Sequence, residues 1–94
     1  MIKLEKIATY YNKNNFLRQS KISSTQCTDL QEALELFKNT KPRYYINKKD
    51  ISIIETIQVI YKIDLGYKKI YKTIDPITET IETNYKEEEW KNDN

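Results

Sequence analysis

The apolar run over residues 50–65 constrains the fold more than any other part of the chain, because it satisfies two periods at once. At period two, Ile51, Ile53, Ile57, Val59, Tyr61, Ile63 and Leu65 line one face and only Glu55 interrupts them, a strand pattern that β-branching reinforces. At the helical period, Ile53, Ile54, Ile57, Ile60, Tyr61 and Leu65 share a face. Asp50 then suits the N-cap, and Gly66 sits where a left-handed residue would end the helix. Strands average roughly 5–6 residues, so the length of the run favours a helix over 50–65. In the strand alternative, Asp64, Leu65 and Gly66 become the tip of a long hairpin that returns over 67–74.

Punctuation elsewhere is sparse, with one Gly and two Pro in 94 residues. Leu4, Ile7, Ala8 and Tyr11 have helical spacing, which predicts a short helix over 4–11 and a turn at 12–15, where asparagines compete for their own backbone. Residues 16–22 read equally as a short helix or an extended piece. Thr28 to Gln31 has capping-box spacing and opens the apolar stripe Leu30, Ala33, Leu34 and Phe37, a helix over 28–39 that Lys41 and Pro42 end. Asp75 and Pro76 read as N-cap and first residue of a last helix carrying Ile77, Ile81 and Tyr85, with Glu79 and Glu82 near its positive end. The expected architecture is α+β and mainly helical: one domain over 1–86 and an acidic, loosely ordered tail over 87–94.

Several chemistries are excluded by residue type. Cys27 is the only cysteine and there is no histidine, so an intramolecular disulfide, a Cys/His zinc site and a His-based triad are impossible. A single glycine cannot build a glycine-rich phosphate loop. Asp50, Asp64 and Asp75 fall at element ends, where capping explains them better than acid–base pairing, and Glu55 stands alone. Cys27 has acidic neighbours that raise its pKa, and it reads as a small buried filler. No enzymatic activity, metal or cofactor is expected. No apolar run reaches the roughly 20 residues of a membrane span, and Lys3, Glu5 and Lys6 interrupt the first segment, which fits a soluble cytoplasmic protein.

The charge distribution supplies the functional expectation. Residues 1–72 carry 14 Lys/Arg against 7 Asp/Glu, whereas residues 73–94 carry 2 against 7, so a body of +7 bears an end of −5. A basic body suits a polyanionic partner, and an acidic appendage limits indiscriminate sticking. The densest positive feature is residues 38–49, where Lys38, Lys41, Arg43, Lys48 and Lys49 surround Tyr44 and Tyr45 without an acid. A second basic set, Lys62, Lys68, Lys69 and Lys72, flanks Gly66. By contrast, residues 22–37 hold Asp29, Glu32 and Glu35 and no base, so the helix they contain is a poor object to place between phosphates and should pack inward or against a second subunit.

Arg43, Tyr44 and Tyr45, followed by Asp50, Ile51, apolar residues at 54 and 57, Gly66 and Ile70, resemble a run found in MerR-like and excisionase-like winged helix-turn-helix domains. The resemblance implies a winged helix-turn-helix fold with a two-stranded basic wing, and DNA contacts at Lys38, Lys41, Arg43, Lys48, Lys49, Lys68, Lys69 and Lys72. The expected function is then binding of A/T-rich double-stranded DNA through the wing, as a homodimer and within a larger nucleoprotein complex. The setting would be a plasmid, phage or other mobile element, with an accessory or regulatory role in conjugative transfer, excision or repression. Ile, Lys, Asn and Tyr, all written with A/T-rich codons, make 44 of the 94 residues, which fits such a genome. The alternative is a small phage-type inhibitor or protein-binding module acting through the acidic C-terminal segment.

Overall fold

Residues 51–63 form a strand, and it is the strand on which the rest is assembled. In the computed structural model, which describes residues 1–13, 15–47 and 50–89, the elements are β1 (Ile2–Asn12), β2 (Asn15–Cys27), α1 (Leu30–Asn39), β3 (Tyr44–Ile46), β4 (Ile51–Ile63), β5 (Gly66–Asp75) and β6 (Thr80–Glu89). The main sheet path is β2-β1-β4-β5-β6, antiparallel at every step, and β3 pairs with the first part of β4. β4 is therefore paired along both sides. Its six isoleucines, with Thr56 and Val59, are stiff at χ1 and suit a pleated surface better than a helix. The length that favoured a helix is explained by long partners on either side.

This architecture overturns the mainly helical winged helix-turn-helix expectation, and with it the DNA-binding wing. The described residues hold one helix of 10 residues and six strands. The helical spacing over 4–11 is a coincidence of two faces: Leu4 and Ala8 pair with Val59 and Glu55 on one side of the sheet, whereas Ile7 and Tyr11 pair with Thr56 and Ser52 on the other. Asp75 does cap backbone, its Oδ1 accepting from the N–H groups of Ile77 (2.9 Å) and Thr78 (3.5 Å). It caps only a turn, however, because Glu79 enters the left-handed region (φ 59°) and β6 begins. The helix near 28–39 stands where the residues indicated, and Asn12 pairs with Asn15 at the expected turn, of which Asn14 lies outside the described residues. The tip at 64–66, with Ile63 opposite Gly66, is that of the strand alternative and replaces the helix expected over 50–65.

The one helix lies on one face of the sheet. Asp29 is its N-cap, accepting from the Glu32 N–H at 2.8 Å, while Glu32 reaches back to the Thr28 N–H at 3.2 Å. Ala33 and Phe37 are buried and form the core with Cys27, Ile57, Val59 and Ile70, edged by Ile2, Leu4, Leu30 and Tyr61. Leu34, also on the expected stripe, remains at the surface. Burial and then Glu32 push the Cys27 thiol above its ordinary range. No described helix is long and apolar enough to cross a membrane.

The opposite face carries a polar knot in place of a core. Glu5 is buried and accepts from Gln58 (2.9 Å) and Ser24 (3.4 Å), and Lys21 of β2 pairs with it at 2.7 Å. Burial alone would raise this carboxyl, but the hydrogen bonds from Lys21 and Gln58 outweigh it and hold the group below its ordinary value of 4.5. The folded state therefore binds this proton less readily than the unfolded chain. The stabilisation is complete above pH 4.5 and is lost as pH falls through the lowered folded value. Glu5→Gln should lower the urea midpoint at neutral pH and flatten its fall on acidification relative to the parent.

Candidate nucleic-acid interface

Helix length determines what the sheet leaves bare. At about 1.5 Å per residue, ten residues of helix extend about 15 Å, whereas a thirteen-residue strand runs about 43 Å. The helix starts just after β2 ends at Cys27 and finishes over the row formed by Ile57 and Lys72, where the Lys72 ammonium donates to the carbonyl of Phe37. The same ammonium stands 4.4 Å from the centre of the Phe37 ring. Lys72 is buried, and burial first, then the nearby charge of Lys41, lower its pKa. It closes the helix C-terminus, where the Phe37 carbonyl also accepts from the Thr40 N–H at 3.4 Å and a cation meets the negative end of the helix.

Beyond that end, a strip of the helix-bearing face has no cover from α1. Cross-strand partners share a face, so the register sets Arg18 (β2), Tyr10 (β1), Ile53 (β4) and Tyr45 (β3) in one row across four strands, about 14 Å wide. The Arg18 guanidinium lies 4.2 Å from the Tyr10 ring centre, a cation–π contact that orients both side chains. Tyr45 is 59% exposed, which rules it out as a core residue. Between this row and the helix end stands Arg43. Its backbone N–H donates to Glu55 Oε1 at 2.9 Å, its carbonyl accepts from the Glu55 N–H at 2.9 Å, and its Nε reaches the same carboxylate at 3.3 Å.

Glu55 is the acid that interrupted the period-two face, and its position explains the exception. It is buried at the gap where β3 stops and β5 begins along the same side of β4, and its carbonyl also accepts from Thr73 Oγ1 at 3.2 Å. The carboxylate fixes the Arg43 backbone and leaves most of the guanidinium in solvent, with the side chain 76% exposed. Arg43, Tyr44, Tyr45, Ile53 and Glu55 line a hollow of about 270 Å³ beside the row. Tyr44 turns elsewhere: its hydroxyl donates to Glu79, which raises its pKa.

The eight residues expected to contact DNA are distributed unevenly. Lys38 in the last helical turn, Lys41 and Arg43 stand together at the edge of the bare strip, exposed. Lys72 is near them but is committed to the helix end. Lys68 shares the helix-bearing face at the far end of β5 and pairs with Glu87 at 3.6 Å. Lys69 faces the opposite side, where it lines a hollow with Tyr71 and Lys86. Lys48 and Lys49 lie outside the described residues. The lysines that flank Gly66 in sequence stand in two central strands of the sheet, Lys62 in β4 and Lys68, Lys69 and Lys72 in β5, and not in a projecting wing.

Arg18 and Tyr10 belong to the row and are not recognisable from local sequence. The pairing of Asn12 with Asn15 alone would set Tyr10 opposite Leu17; a register shift that skips Leu17 brings Arg18 there instead, and no local sequence signal gives that shift. No known protein family, curated protein or solved structure matches the chain.

Glu55→Ala removes the acceptor of the Arg43 N–H and should cost about 1–3 kcal/mol. Hydrogen exchange at β3 should accelerate in this variant, while amides in the middle of α1 keep their protection.

Proposed function

We propose that the protein is a non-catalytic nucleic-acid-binding protein that holds a single strand along the bare strip beside the helix C-terminus. The observation that carries this reading is the row Arg18, Tyr10, Ile53 and Tyr45, bordered by Lys38, Lys41 and Arg43. Cations along a groove edge track phosphates, and aromatic rings on a sheet surface give unpaired bases a face to stack on. The one acid within the strip, Glu55, is buried and offsets the charge of Arg43, so the net positive charge of the strip comes from Arg18, Lys38 and Lys41, with the exposed Arg43 side chain beside them as a hydrogen-bond donor. The opposite face suits a polyanion less well, because Glu82 and Glu88 share it with Lys69 and Lys86. A single strand is favoured over the duplex because the helix stands as a wall at the strip's edge and the reading surface is flat sheet.

The acidic segment supports the inhibitor alternative less well. Up to Glu89 it is a strand paired with β5, and its charges are partly engaged: Glu87 with Lys68, and Glu88 with Lys86 at 2.6 Å and with the Tyr67 hydroxyl.

Fluorescence anisotropy with single-stranded and duplex oligonucleotides, each A/T-rich and G/C-rich, at two salt concentrations tests the proposal. The parent should bind the single strand more tightly and lose affinity with salt. The pair Lys41→Ala and Arg43→Ala should weaken binding about ten-fold or more and lower the salt slope by about 1–2. Lys69→Ala should leave affinity within about two-fold, since a distant lysine on the other face contributes only long-range attraction. Absence of binding at low salt, or equal loss in both variants, contradicts the reading; tighter duplex binding replaces the strand by double-stranded DNA.

A further inference from the structure

β2 and β6 are the two ends of the main sheet path, and each presents a row of backbone donors and acceptors to solvent. Free edges are ordinarily blunted by shortness, charge or bulges; these two carry charge and β2 carries two register shifts, yet both are long and both expose apolar side chains. On β2 the pairing with β1 shifts register twice, and the residues skipped are Ile22 and Leu17, which are 52% and 54% exposed. On β6, Ile81 and Tyr85 are 41% and 68% exposed.

The two edges carry opposite charge. β2 contains Arg18 and Lys21 and no acid, whereas β6 contains Glu82, Glu87, Glu88 and Glu89 against Lys86, so the strands carry +2 and −3. A β2–β2 contact would oppose bases with bases and a β6–β6 contact acids with acids. A β6–β2 contact is the one combination that joins edges of unlike net charge, and Lys21 and Glu82 stand in the same row of the sheet, so a sideways displacement brings them together. Direction permits it as well: four antiparallel steps separate the two strands, so they run the same way. A second copy displaced sideways without inversion sets its β2 beside β6 in parallel register and keeps both helices on one side of a continuous sheet.

We propose that copies of this chain associate head to tail, the β6 edge of one against the β2 edge of the next. Such a contact is heterologous, so every assembly keeps one free edge of each kind unless it closes into a ring, and its size grows with concentration. The inference is independent of nucleic-acid binding and stands or falls separately.

Sedimentation velocity across a concentration series at low salt tests it, with no nucleic acid present. The parent's mean mass should rise about two-fold or more over the series and fall back when salt is added. Two variants block one edge each: Leu17→Glu with Ile22→Glu on β2, and Ile81→Lys with Tyr85→Lys on β6. Each alone should remain monomeric with the parent's far-ultraviolet circular dichroism, and an equimolar mixture should associate again, because each supplies the unaltered edge the other lacks. A parent that stays monomeric throughout overturns the proposal. So does either variant that keeps the parent's association by itself, which indicates a two-fold contact, or a mixture of folded variants that stays monomeric.

Discussion

Phe37 and Ala33 seat a ten-residue helix on a sheet whose central strand is thirteen residues long, and that mismatch of lengths shapes everything else. The buried apolar set is small and is gathered under the helix around Ile57, Val59 and Ile70. Pro42 and the Lys72 contact with the Phe37 carbonyl end the helix before it reaches the first rows of β4. The remaining sheet is wide and thin. The whole molecule has extents of 46 × 36 × 21 Å, and its radius of gyration of 14.9 Å exceeds the roughly 12 Å of a globular chain of this length. A domain of this shape holds its strands partly by polar pairing, and among the described residues no buried side-chain nitrogen or oxygen lacks a partner.

Two buried carboxylates illustrate how. Glu5 ties β1 to β2 and β4 through Lys21, Ser24 and Gln58 on the open face. Glu55 ties β3 to β4 through Arg43 on the helix-bearing face. Each partner of such a pair that reaches solvent lessens the desolvation cost that makes fully buried pairs expensive. Lys21 and Arg43 are both largely exposed, so each knot is buried at its acidic end and solvated at its basic end. The consequence for function is direct at Glu55: the anchor that positions β3 also leaves a cation facing outward beside Tyr45.

Local chemistry was legible in the sequence, and long-range pairing was not. The helix over 28–39 and the reversal that pairs Asn12 with Asn15 depend on neighbours in sequence and stand where their residues indicated, and Cys27 is buried as its type suggested, whereas Gly66 begins a strand in place of ending the helix favoured over 50–65. The strands at 2–12 and 51–63 were obscured because their apolar residues occupy both faces of a partly uncovered sheet, so Ile7, Tyr11, Ile54 and Ile60 of the second face completed a helical spacing. Asp75 offered a genuine cap whose continuation was decided by the pairing of β6 with β5. Of the candidate site, Lys38, Lys41 and Arg43 are visible as a basic cluster in the sequence, while the contact of Lys72 with the helix end is revealed only by the fold. Arg18 and Tyr10 join the cluster through strand register alone.

The strip left bare by the short helix is the proposed binding surface. Titrating the isotopically labelled protein with a single-stranded oligonucleotide and following amide and tyrosine ring resonances by NMR locates the contact directly. Shifts concentrated at Tyr10, Arg18, Arg43, Tyr45 and Ile53, with Tyr71 and Lys86 on the opposite face undisturbed, are the predicted result. Shifts confined to the opposite face, or to the β6 edge, would contradict it.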